Sequence, residues 1–173
     1  MYITYLLLFL FSTLTFNQLA VQTTSDEITD KNNHQKVNDM DTLHSVSLDV
    51  TINASSTTVW DVITSDEYAK ILGNEFDEGA FMASEWKEGS KVHFVYEPDN
   101  VVASGTITEL VKEEVITIDY DFDGYDYSEK FIMEGKNTKT VLRVEAGPYV
   151  ENYEAHKVVW TNWLSKVKEL SEN

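Results

Sequence analysis

Residues 152–170 read NYEAHKVVWTNWLSKVKEL. Tyr153, His156, Trp160, Trp163, Leu164, Val167 and Leu170 recur there at intervals of three and four. On a helix of 3.6 residues per turn they form one apolar stripe. A stripe with two tryptophans needs a wide apolar surface to cover it. The chain before it supplies one, because from Gly79 onward the rhythm is that of strands. FMASEW (81–86) leads through a KEGS turn into KVHFVYE (91–97), and Pro98-Asp99-Asn100 turns the chain again. VVASGTITELV (101–111) follows, with Gly105 marking a bulge or a close approach. In VITIDYDF (115–122), Ile116, Ile118, Tyr120 and Phe122 alternate with Thr117, Asp119 and Asp121. EKFIME and KTVLRVEA are joined through Gly135-Lys136-Asn137 as a hairpin, and Gly147-Pro148 breaks the last strand.

Upstream, HSVSLDVTIN (44–53) alternates Val46, Leu48, Val50 and Ile52 with polar residues, a half-buried strand. Ser55 or Ser56 caps a helix carrying Val59, Trp60, Val62 and Ile63. Ser65 caps a second short helix with Tyr68, Ile71 and Leu72, stopped by Gly73. The expected fold is α+β. A curved antiparallel sheet of about six or seven strands wraps a long C-terminal helix, with two short helices after the first strand.

The chain has 173 residues and a net charge of −17, with its basic residues scattered. Such a surface repels phosphate backbones and anionic headgroups, which argues against nucleic acid and against membrane contact by the domain itself. There is no cysteine, so disulfides, thiolate metal sites and cysteine nucleophiles are excluded.

Residues 1–21, MYITYLLLFLFSTLTFNQLAV, carry no charged side chain. They read as a secretory signal ending near Ala20, which would place the protein in a periplasmic or secreted location. An uncleaved membrane anchor is the second reading, and an extension on a cytoplasmic protein the third. Residues 22–42 are polar and aperiodic and read as a disordered linker. The folded domain is expected over 43–173.

Several strings in this order resemble the SRPBCC superfamily, the helix-grip fold of START lipid-transfer domains and birch-pollen-allergen-like proteins. Residues 52–64, INASSTTVWDVIT, are similar to the strand-to-helix opening of one branch. That branch is the family named for the C-terminal domain of the activator of the ninety-kilodalton heat-shock chaperone ATPase. It usually has Pro where Ser55 stands here. Trp86-Lys87-Glu88-Gly89 resembles its tryptophan-to-glycine turn, and Gly105-Thr106-Ile107-Thr108-Glu109 its mid-sheet glycine strand. Trp160, Leu164, Val167 and Lys168 match its closing helix. The resemblance implies the fold and a cavity between sheet and helix. The family name implies a chaperone partner, which an exported copy would not meet.

The residues expected to line that cavity are Trp86, Phe94, Tyr96, Ile118, Tyr120, Phe131, Met133, Tyr153, His156, Trp160 and Trp163. His156 is either a polar group aimed at a ligand or a core histidine bonded within the protein. His93, Arg143 and Glu145 read as outward. Asp119, Asp121 and Asp123 copy the opening of a calcium loop, but Lys130 stands where the twelfth-position carboxylate belongs and Asp126 occupies the apolar eighth. The three aspartates read instead as the wet face of a strand, and no metal or cofactor is expected.

Serine-nucleophile elbows, phosphate loops and paired catalytic carboxylates at a recognisable spacing are absent from the sequence. The favoured reading is a monomeric or weakly dimeric module. It takes up a small apolar ligand, a lipid, aromatic or polyketide-like molecule, between sheet and last helix. A co-chaperone-like protein-interaction domain is the alternative. A third reading is a cyclase or dehydratase using His156 or a cavity tyrosine as acid or base.

Overall fold

The computed structural model describes residues 43–122, 124–136 and 138–173. The expected N-terminal signal and linker, Asp123 of the aspartate series and Asn137 of the hairpin lie outside the described residues.

Strand β1 (His44–Ile52) is followed by helices α1 (Ser56–Thr64) and α2 (Asp66–Gly73). Strands β2 (Ala80–Ser84), β3 (Lys91–Tyr96), β4 (Asn100–Val111), β5 (Val115–Phe122), β6 (Tyr125–Lys136) and β7 (Lys139–Tyr149) come next, and helix α3 (Tyr153–Glu172) closes the chain. All strand pairs are antiparallel, in the order β1-β7-β6-β5-β4-β3-β2. Only the β7–β1 pairing joins strands distant in sequence. The result is a curled half-barrel gripping α3, the helix-grip architecture expected from the order of elements.

Local chemistry sets the boundaries. Ser55 is the N-cap of α1, and its hydroxyl accepts from the Thr58 N–H. Gly73 ends α2 for a reason other than a left-handed cap. A Cβ there would lie 2.1 Å from the Ala80 carbonyl oxygen, so the glycine admits the close passage of β2. One expectation is corrected. Gly147-Pro148 does not end the last strand, because β7 runs on to Tyr149, which pairs with His44. The β1–β7 register shifts between His44 and Val46, and at such a bulge a residue without an N–H is tolerated.

The core lies between the concave sheet face and the helices. Ile52, Ile107, Ile116, Ile118, Phe131 and Leu142 rise from the sheet, with Val59 and Leu72 from the short helices. Trp160, Trp163, Leu164 and Val167 descend from α3. Each such side chain contributes roughly 1.5–3 kcal/mol by leaving water. The C-terminal end of α3 is pinned to β1: Lys168 donates to the Thr51 carbonyl, and the Asn53 N–H donates to the Glu172 carboxylate at 2.6 Å.

Candidate functional site

Strand β6 places alternate residues inward, so Tyr127, Glu129, Phe131 and Met133 share the concave face. Three of them are buried core residues. The fourth is a carboxylate. Glu129 pairs in register with Ile118 on β5 and with Ala146 on β7. Glu129 itself is half-buried on this face.

Two tyrosines serve this carboxylate. The Tyr120 hydroxyl donates to Oε2 at 3.1 Å, and the Tyr127 hydroxyl donates to Oε1 at 3.2 Å. The Tyr127 and Tyr149 hydroxyl oxygens are 2.7 Å apart, and the Trp160 indole N–H donates to Tyr149 at 2.8 Å. His156, one turn into α3, stacks on the Tyr149 ring with centroids 3.9 Å apart. Tyr125 donates to the Pro148 carbonyl and closes the hairpin side. Sheet and helix thus meet at this end through an aromatic polar chain that ends on Glu129.

Burial sets the acid–base character of these groups. It raises the Glu129 carboxyl to about 7, against the opposing effect of the two tyrosine hydrogen bonds. Burial, then the Glu129 charge, pushes the Tyr120 and Tyr127 hydroxyls far above the usual phenol range. Tyr149 is raised as well, chiefly by burial. Burial lowers His156 to about 4, so the imidazole is neutral at physiological pH.

The expected cavity residues divide into three groups. Trp160, Trp163 and Phe131 fill the middle of the grip, with ring centroids 5.2 to 5.9 Å apart, and Ile118 and Met133 are buried beside them. Trp86, Phe94 and Tyr96 are half-buried on the β3 side. Phe76, from the loop after α2, sits edge-on to both Phe94 and Trp160, and Tyr96 donates to Asp77. Tyr120 and His156 belong to the Glu129 end, with Tyr153 half-buried beside His44.

Glu129, Tyr127 and Tyr149 were not among the residues singled out from sequence. The available signal was phase: Glu129 stands two residues from Phe131 and four from Met133 on a strand, an acid on an apolar face. Tyr149 was hidden by the reading of Gly147-Pro148 as a strand end.

Outside the grip, His93 bonds Ser104 at 2.7 Å, and Arg143 and Glu145 lie on the outer sheet face, as expected. Asp119 accepts from Thr108 there, and Asp121 accepts from the Gly124 N–H in the β5–β6 turn. Two open surface depressions, of about 520 and 510 Å³, lie around Lys70 and Phe81 and around Glu114 and Lys130.

Sheet, gripped helix and inward polar chain define a helix-grip α+β domain of the SRPBCC type. The chain belongs to the family described as Activator of Hsp90 ATPase homolog 1-like protein, whose profile matches residues 53–172. No curated protein matches it. Among solved structures it is similar to CalU16 from Micromonospora echinospora, at 18% identity and a TM-score of 0.56, over 75% of this chain and 76% of that one. It is also similar to the Aha1 dimer from Colwellia psychrerythraea, at 16% identity and a TM-score of 0.59, over 75% and 97%. A third is PFC0360w, an HSP90 activator from Plasmodium falciparum, at 16% identity and a TM-score of 0.59, over 73% and 94%. Likeness at these identities establishes the fold.

Proposed function

We propose that the chain is a small-molecule binding module whose ligand enters at the Glu129 end of the grip. The observation that supports this most is a part-accessible carboxylate on an apolar sheet face. It is held by two tyrosines and has no ion-pair partner among the described residues. A stability-driven core would place a hydrocarbon there. The apolar part of the ligand would lie against half-buried Phe122, Tyr125 and Tyr153, gaining roughly 25 cal/mol per Å² removed from water.

Trp160 and Trp163 pack against Phe131 in the middle of the grip, which favours the half-buried Glu129 end as the ligand's position between sheet and helix. An acid–base reading of the same place would use Glu129, because His156 is held neutral.

A protein-partner reading draws on the family and on the filled middle of the grip. Its surface would be the outer sheet face, where Lys130 bridges to Glu109 and Thr117 bonds the same carboxylate.

The test is titration with the neutral apolar dye N-phenyl-1-naphthylamine, read by dye fluorescence and by NMR of the full chain. Saturable one-to-one binding that moves the Tyr120, Tyr127 and His156 signals supports the proposal. No saturable binding, or shifts confined to the outer face, overturns it in favour of the partner reading.

A further inference from the structure

We propose that the polar end of the ligand is a protonated amine, received by the Glu129 carboxylate at the head of the Tyr149–Tyr127 hydrogen-bond chain and beside Tyr120. This rests on the reading of the Glu129 end of the grip as the ligand site and names the chemistry that site selects.

Counting protons carries the argument. Trp160 has one indole proton and gives it to Tyr149. If Tyr149 gives its proton to Tyr127, then Tyr127 gives its own to Glu129 Oε1, and no hydroxyl proton is idle. Tyr120 gives its proton to Oε2. In that arrangement every donor points toward the carboxylate. A carboxylate can accept about four hydrogen bonds, and two are supplied. What the cluster still offers is acceptor capacity and negative charge. Its complement is a group rich in donors and positively charged.

Among the described residues none supplies such a group. Lys130 and Arg143, the cations nearest in the register, lie on the outer face, where Lys130 pairs with Glu109 and Arg143 stands opposite Asp49. A buried carboxylate without a cation is held at a desolvation cost that an ammonium ion would offset. The net charge of −17 draws organic cations toward the protein, and Glu129 gives them a specific place.

The groups that face Glu129 leave it as the one that titrates near neutrality. They are Tyr120 from β5, Tyr125 and Tyr127 from β6, Tyr149 from β7, and His156 from α3. Tyrosine hydroxyls stay neutral in this range, and His156 is neutral as well. Binding of an ammonium ion therefore requires the carboxyl to release its proton, and affinity for amines rises between pH 6 and pH 8.

The experiment is calorimetric titration of the full chain with 4-phenylbutylamine, 4-phenylbutanol and 4-phenylbutyrate in about 150 mM salt, which screens diffuse attraction. At pH 8 the amine should bind at least about tenfold more tightly than the alcohol. Its affinity should fall by about tenfold at pH 6, as Glu129 takes up its proton. Glu129→Gln should abolish the preference while changing the net charge by only one. Equal binding of amine and alcohol by the wild-type protein at pH 8 overturns the amine assignment and leaves the ligand site standing. A preference that survives in Glu129→Gln, or that ignores pH in the wild type, traces the attraction to the acidic surface and also overturns it. Failure of all three compounds to bind removes both the assignment and the site.

Discussion

Trp160 donates its indole N–H to the Tyr149 hydroxyl across 2.8 Å, with both residues buried. This bond ties the end of β7 to the gripped helix beside the point where His156 stacks on the same tyrosine. It should register as an energetic coupling. A double-mutant cycle of Trp160→Phe and Tyr149→Phe, followed by chemical denaturation, should return an interaction of about 1 kcal/mol. Strict additivity would mean the two residues do not communicate.

Stability should depend on pH through two opposed groups. Glu129 binds its proton more tightly in the folded state, to about 7, than the ordinary 4.5 of the unfolded chain. Its contribution is therefore fully present below about pH 4.5 and is lost as pH rises through 7, by about 3 kcal/mol in all. His156 runs the other way: lowered to about 4 from 6.5, it costs stability as pH falls through that window. In Glu129→Gln this carboxyl's dependence is gone, so the variant should gain on the wild type as pH rises from 5 to 8. Parallel stability curves for the two proteins would show that Glu129 is not held protonated by the fold.

Gly105 is placed by Tyr120. A Cβ at this position would lie 2.5 Å from Ile118 Cγ2 and 2.9 Å from the Tyr120 ring. Gly105→Ala should destabilise by about 1–3 kcal/mol and displace the tyrosine that holds Glu129. Thermal unfolding gives the first effect and the Tyr120 side-chain shift the second. An unshifted ring in a fully stable variant would remove Gly105 from the account.

Truncation after Val150 removes Trp160, Trp163, Leu164 and Val167 from the concave face. At about 2–5 kcal/mol for each large core side chain, the four together lose about 8–20 kcal/mol, as much as the 5–15 kcal/mol typical of a whole domain. The fragment should show no cooperative melt. A sharp, reversible transition in its calorimetric scan would contradict the gripped-helix fold.

Much of this architecture was legible in residues alone. The 3.6-residue spacing of Trp160, Trp163, Leu164 and Val167 marked the gripped helix, and the alternation of Ile116, Ile118 and Tyr120 marked its sheet. Both patterns are local, and burial enforces them directly. Glu129 was harder to find because a charged residue on a strand is most often wet. Its inward position depends on β6 lying mid-sheet between β5 and β7, a tertiary fact. Tyr149 was missed for a related reason: the β7–β1 pairing carries the strand past Gly147-Pro148 by a bulge that no local pattern announces. The aromatic residues were recognised as a set, but which of them fill the core and which stay half-buried depends on how Phe76 and Trp160 pack.

The Glu129 carboxylate, without an ion-pair partner among the described residues, would form the head of the ligand site. Carbon-13 NMR of the Glu129 side-chain carboxyl, followed through a pH titration with and without 4-phenylbutylamine, reads this directly. The account predicts a midpoint of about 7 in the free protein and a lower midpoint when the amine is bound. A midpoint at the ordinary carboxylate value, unmoved by the amine, would contradict it.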